Sequence, residues 1–121
     1  MRSLKLLTIV LFTSLLLLAC ADNLDETLLH GNWSTKDWYI LESGKKINNT
    51  MDFSFDSERR YSIDYGSQKE SGKYWVAVDY LHTVEDGKAE KKVKIISLSA
   101  DTMILEMNRA GQIERLLLTH P

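Results

Sequence analysis

Residues 50–56, with the sequence TMDFSFD, alternate apolar and polar side chains without a break. Successive side chains of a β-strand point to opposite faces, so this period of two predicts a strand with one buried face. Residues 60–65, RYSIDY, repeat the same alternation after a short polar turn. The side chains predicted to share the inner face of these two strands are Met51, Phe53, Phe55, Tyr61, Ile63 and Tyr65.

Short β-prone segments continue on both sides of this pair, and no segment between them has the periodicity of a crossover helix. Turn signals separate them every 8–12 residues or so, which is typical of a sandwich or barrel. Asp86-Gly87 is a strong hairpin signal, and the single proline is Pro121. The other six predicted strands lie after Trp33 (including residues 38–41) and at 72–78, 80–84, 93–98, 103–107 and 113–119. Eight strands in sequential hairpins favour an antiparallel up-and-down barrel, which leaves no exposed sheet edge.

The start of the chain predicts export. Arg2 and Lys5 precede an apolar run that is too short for a membrane span but fits the core of a secretory signal peptide. Residues 17–20, LLAC, resemble the lipobox of bacterial lipoproteins, in which the cysteine carries the lipid (including palmitate) and becomes the mature N-terminus. We therefore expect a signal peptide at 1–19 and lipidation at Cys20. The alternative is an ordinary secreted protein with one buried or free thiol.

Residues 20–30 are predicted to be a lipidated tether with a short helical turn. Asn23 and Glu26 have the spacing of a capping box, and Gly31 is a natural helix stop. The barrel domain is then expected at 31–121.

The charge of the mature part argues against one class of partner. Removing Arg2 and Lys5 leaves 13 basic residues against 17 acidic ones, a formal charge of −4. Nucleic-acid binding calls for a basic face, so no nucleic-acid partner is expected.

At Gly31-Asn32-Trp33 the chain resembles the lipocalins, which begin with a helical turn, a Gly-x-Trp motif and the first strand. The absence of a C-terminal helix makes small bacterial lipocalin-like domains the better match. The resemblance implies that Trp33 plugs the closed end of an eight-stranded barrel and that Arg115, in the last strand, packs over it. It also implies a small apolar ligand.

The predicted inner face allows two interpretations. Its side chains could fill the barrel as plain core or line a small apolar pocket, because an eight-stranded barrel can be filled or hold one small ligand. Large side chains on short strands favour the filled core.

Residue patterns that would support catalysis or metal binding are missing from the sequence. His30, His82 and His120 are far apart and lack metal-ligand spacing, and no Gly-x-Ser-x-Gly elbow occurs. We therefore expect no enzyme, metal or cofactor. The lysines at 88, 91, 92 and 94 are interleaved with acidic residues, and a solvated hairpin explains them better than a polyanion site does.

Two functional hypotheses remain open. The first is a non-enzymatic lipoprotein, anchored to a membrane of the bacterial envelope through Cys20 and binding a small apolar ligand or lipid. The second is an envelope protein that binds another protein, as an inhibitor, immunity factor or assembly accessory, with a filled barrel.

Overall fold

A computed structural model describes residues 24–121. The predicted signal peptide, Cys20 and the predicted cap Asn23 lie outside these residues, so their assignments stay predictions. The described chain begins with one turn of 3₁₀ helix, Glu26–Leu29, and the side chain of Asp25 caps it by accepting from the backbone N–H of Thr27.

Eight antiparallel strands follow the helix and close into a barrel in the order of the sequence. This confirms the predicted up-and-down barrel with a short N-terminal helical turn. The strands are β1 (Gly31–Ile40), β2 (Asp52–Phe55), β3 (Arg60–Asp64), β4 (Lys69–Ala77), β5 (Tyr80–Glu85), β6 (Glu90–Leu98), β7 (Thr102–Arg109) and β8 (Gln112–Thr119).

Strand β1 closes the barrel because it pairs with two different neighbours. Residues 31–33 pair with β2, and from Ser34 onward the strand pairs with β8. The register shifts between Thr35 and Asp37, and such a bulge bends a strand. At this bend the hydroxyl of Thr35 donates to the carbonyl of Met51 and accepts from its N–H, both at 2.8 Å. The long β1–β2 connection is therefore fixed to the wall of the barrel.

The two ends of the barrel are defined by the direction of β1. We call the end where β1 begins and β8 finishes the closed end, and the end where β1 finishes and β8 begins the open end. Leu29 of the 3₁₀ helix packs at the closed end and is fully buried. Trp33 is also fully buried, and its indole Nε1 donates to the carbonyl of Leu29 at 2.8 Å. The helix and the first strand therefore close the lumen at this end together.

Core packing continues above this plug with aromatic side chains. The rings of Phe53 and Phe55 stack at 5.9 Å, and Phe55 meets the edge of Tyr74 at 5.0 Å. Such offset and edge-to-face contacts are favourable aromatic geometries. The other buried apolar side chains are Trp38, Met51, Tyr61, Ile63, Leu81, Ile95, Met103, Leu105, Leu116 and Leu118.

Candidate functional site: a cavity at the open end of the barrel

The open half of the barrel contains a cavity of about 570 Å³. Ligand pockets in proteins typically measure about 300–1,000 Å³, so the volume suits one small molecule. Most of the wall is apolar, and charged and amide side chains lie among the residues of the open end. The lining residues are Trp38, Asn49, Met51, Phe53, Ile63, Tyr65, Glu70, Leu81, Thr83, Lys91, Lys92, Val93, Leu105, Met107, Asn108 and Arg109.

The predicted inner-face residues divide between this cavity and the solid core. Met51, Phe53, Ile63 and Tyr65 line the cavity. The other two do not: Phe55 packs on Tyr74 towards the closed end, and the hydroxyl of Tyr61 bonds to a buried carboxylate. Neither interpretation of the inner face is right alone, because the closed half of the lumen is filled and the open half is not.

Glu70 is the first of two carboxylates buried in the barrel. It is 6% exposed and accepts hydrogen bonds from the hydroxyls of Tyr61 and Tyr65 and from the ammonium of Lys91. Burial raises the pKa of Glu70, but the three donors outweigh it and hold the pKa below its usual range. Burial and the neighbouring Glu70 raise the pKa of both tyrosine hydroxyls, so the tyrosines stay protonated and act as donors.

Glu114 is the second buried carboxylate and is 1% exposed. It accepts from the indole Nε1 of Trp38 at 2.9 Å, the amide of Gln112 at 2.8 Å and the guanidinium of Arg109 at 3.3 Å. Burial raises the pKa of Glu114, but these donors and the charge of Arg109 outweigh it, so the pKa is lowered. Arg109 also lies 5.9 Å above the ring of Trp38, within cation–π distance.

The sequence prediction missed both carboxylates, although the alternation contained a signal for each. Glu114 lies in the same phase of β8 as the buried Leu116 and Leu118. Glu70 lies in phase with the buried Tyr74 on β4. A charged residue at an inward-facing position of a strand indicates either a buried polar cluster or a wrongly predicted strand register. Here Glu70 and Glu114 belong to the polar clusters of the open half.

The structure separates the members of the predicted barrel-closing set. Gly31 begins β1 with a φ of +116°, which favours glycine, and Trp33 plugs the closed end. The role predicted for Arg115 is wrong, because its Nε donates to Glu106 at 3.2 Å on the outer face of the barrel. The ring that lies against Trp33 is that of His120, tilted by 33° with the centroids 3.8 Å apart. His120 Nδ1 is 2.7 Å from the carbonyl oxygen of Asn32.

The lysines near the β5–β6 hairpin have separate partners. Lys88 pairs with Glu85 at 2.7 Å, and Lys91 reaches into the barrel to Glu70 at 3.1 Å. Lys92 lies 4.9 Å above the ring of Tyr80 and also lines the cavity. Lys91 therefore brings its charge to a buried carboxylate of the cavity, which the prediction of a solvated hairpin did not anticipate.

Two further findings concern residues 24–121. Their His, Cys, Asp and Glu side chains form no group of three or more that could hold a metal ion. No helix among them has the length and apolarity needed to cross a membrane.

The closed barrel, the N-terminal 3₁₀ turn and the tryptophan plug define the class of this fold as a lipocalin-like β-barrel. No protein-family model matches the chain, and no curated protein matches it. Its structure is similar to that of a lipocalin-like protein from Bacteroides uniformis, with a TM-score of 0.58 and 15% identity over 78% of this chain and 99% of the other. It is also similar to an uncharacterized protein from Bacteroides eggerthii, with a TM-score of 0.57 and 13% identity over 77% and 99% of the two chains. At these identities the similarity establishes the fold alone.

Proposed function

We propose that this protein is a non-enzymatic lipocalin-like lipoprotein of the bacterial envelope that holds one small apolar ligand or lipid in the open half of its barrel. The observation that carries the proposal is the cavity of about 570 Å³. Its wall includes Phe53, Leu81 and Leu105, which are each buried and would contact an apolar ligand. The filled closed half supports the same role, because it keeps the barrel stable without occupying the cavity.

A pair of variants on one strand tests ligand binding. Val93 lines the cavity on β6, whereas Ile96 lies three residues further on and is 36% exposed. Val93→Trp should fill the cavity and abolish binding of a dodecyl-chain probe measured by calorimetry. Ile96→Trp, the matched control, should bind like the wild type. Equal binding by both variants, or a failure of the wild-type protein to bind any such probe, contradicts the proposal.

The anchoring half of the proposal rests on the lipobox-like sequence that ends at Cys20. We expect the wild-type chain in the membrane fraction, with lipid on Cys20 detected by mass spectrometry. Cys20→Ser should release the protein into the soluble fraction. An unmodified Cys20 in a freely soluble wild-type protein contradicts the anchor and leaves the cavity proposal standing.

A second function, binding of an envelope protein, is favoured by one feature of the outer surface. Trp75 stacks on His82 with centroids 5.1 Å apart and an interplanar angle of 5°. Neither ring belongs to the buried core, and aromatic side chains are enriched at protein interfaces. A partner captured from detergent-solubilised envelope, lost on Trp75→Ala and kept on Val93→Trp, would favour this function over ligand binding.

A further inference from the structure

The cavity has an apolar wall and polar side chains at its mouth. The hydrogen-bonding groups at the mouth determine which ligand headgroup can bind there. Two ion pairs lie at the open end, Glu70 with Lys91 and Glu114 with Arg109, and Lys92 is a third cation of the cavity lining. The formal charges cancel within each pair, so the net charge of the pairs selects nothing. Their depth and their remaining hydrogen-bonding capacity decide which ligand chemistry fits.

The carboxylates lie deep and the cations lie at the surface. Glu70 and Glu114 have side chains only 6% and 1% exposed, whereas Lys91 and Arg109 have side chains 56% and 60% exposed. A molecule that enters from the open end therefore meets the ammonium and the guanidinium first.

The carboxylates are also already engaged. Each accepts three hydrogen bonds from other side chains of the described chain, from Tyr61, Tyr65 and Lys91 in one case and from Trp38, Arg109 and Gln112 in the other. A cationic headgroup would have to displace these donors and leave hydroxyl or indole N–H groups buried without an acceptor, which is costly.

The cations keep most of their donors. An ammonium has three N–H donors and a guanidinium has five. Within residues 24–121, Lys91 and Arg109 each spend one side-chain hydrogen bond on their buried carboxylate. Both residues line the cavity, and more than half of each side chain is exposed.

Two amides at the mouth add donors. The side-chain oxygen of Asn49 accepts from the N–H of Thr50, and that of Asn108 accepts from the N–H of Gly111, both at 2.8 Å. Because both oxygens are engaged within the chain, these side chains offer their NH₂ groups to a ligand. Both residues line the cavity.

We infer that the ligand is an amphiphile with an anionic headgroup, whose apolar chain lies in the cavity and whose head is held at the mouth by Lys91 and Arg109. This inference rests on the proposed ligand-binding function and specifies its ligand class. Carboxylate and phosphate heads both accept charge-assisted hydrogen bonds from ammonium and guanidinium groups, which are the stronger kind.

The inference is tested with probes that share one tail and differ in the head. Calorimetry on the purified full chain compares dodecanoate, dodecyl phosphate, dodecan-1-ol and dodecyltrimethylammonium, each below its micelle concentration. We expect at least one of the two anionic probes to bind about tenfold more tightly than the alcohol, and the cationic probe to bind most weakly. The better of the two anionic probes indicates whether the natural head is a carboxylate or a phosphate.

Variants then locate the headgroup site. Lys91→Gln and Arg109→Gln should each weaken the anionic probe about tenfold and leave dodecan-1-ol unchanged. Arg109→Lys should restore part of the preference. Lys94→Gln is the matched control, because Lys94 lies on the same strand, pairs with Asp79 and does not line the cavity.

The possible failures are distinguishable. If all four probes bind equally, or if Lys94→Gln has the effect of Lys91→Gln, the headgroup inference is wrong and ligand binding stands. If no dodecyl probe binds the wild type, the proposed function itself is wrong.

Discussion

At the closed end of the barrel, inward positions hold Trp33, Leu118 and the capping Leu29, whereas at the open end the equivalent inward positions hold Glu70 and Glu114. The two ends share one set of strands and one alternation of faces. They differ in what the inward side chains need: the apolar ones pack against each other, and the carboxylates require donors. The donors are Tyr, Trp, Gln, Arg and Lys side chains, most of them on the same strand as the carboxylate or on a paired strand.

The difference explains why the cavity lies in the open half of the barrel. Apolar side chains at the closed end interdigitate to high density, as protein cores do. At the open end the buried carboxylates are hydrogen-bonded to side chains that include Trp38 and Tyr65. These polar groups do not provide the dense apolar packing of the closed end, and the cavity lies in this half of the barrel.

Removal of the tryptophan plug at the closed end is expected to have the largest effect on stability. Trp33→Ala deletes a fully buried indole and its hydrogen bond to Leu29. We expect a loss of about 3–5 kcal/mol in the free energy of unfolding, measured by urea denaturation. Trp33→Phe should lose less, because it keeps a ring and most of the volume. A loss below 1 kcal/mol or so for the alanine variant would show that the closed end does not carry the stability of the barrel.

The next effect tests the open end. Glu114→Ala leaves the buried indole N–H of Trp38 without its acceptor, and we expect a loss of about 2–3 kcal/mol. Glu106→Ala on β7 is the control, because its carboxylate pairs with Arg115 on the outer face and such pairs contribute about 0–1 kcal/mol. A double-mutant cycle with Trp38→Phe isolates the coupling. Additive losses would mean that the hydrogen bond contributes nothing of its own.

Acid should weaken the open end selectively. The pKa of Glu70 is lowered in the folded state, whereas an unfolded glutamate titrates near pH 4.3 or so. The stability contributed by Glu70 is therefore complete above that pH and is lost as the pH falls through it towards the folded-state pKa. Urea midpoints at pH 7 and pH 4 should differ more in the wild type than in Glu70→Gln. Equal differences would mean that Glu70 is not the linked group.

A smaller effect decides which residue covers Trp33. His120→Ala removes the ring that lies against the indole, and we expect a loss of about 1 kcal/mol. Arg115→Ala breaks only the outer-face pair with Glu106 and should cost at most about 0.5 kcal/mol. The reverse order of the two losses would restore the role that the lipocalin resemblance gives to Arg115.

The fold was readable from the sequence because alternation and turn signals are local. All eight strands were predicted, and the alternation at 50–56 and 60–65 gave the inward face correctly. The error at Arg115 arose where a resemblance was followed against the alternation. Glu114, Leu116 and Leu118 face inward, so Arg115 must face outward, and His120 continues the inward phase beyond the strand.

The cavity was not readable, because alternation gives the face of a residue but not its height along the barrel. Phe55 and Met51 share an inward phase, yet one lies in the filled half and the other lines the cavity. Their heights depend on the register of strand pairs that are distant in sequence, such as β1 with β8. The partners of Glu114 show the same limit, because Trp38 is separated from it by 76 residues.

The smallest expected effect lies in a turn where the local pattern and the structure disagree. Residues 72–78 were predicted as one strand, but β4 ends at Ala77 and Val78 turns with a φ of +58°. A β-branched side chain strongly disfavours this conformation, and Val78 is 69% exposed, so packing gives it no compensation. Asparagine tolerates positive φ, and Val78→Asn should therefore stabilise the barrel by about 0.5–1 kcal/mol in urea denaturation. Val76→Asn, two residues earlier in β4 and packed against the core, should instead destabilise it. If both variants lose stability, the turn at Val78 carries no relievable strain.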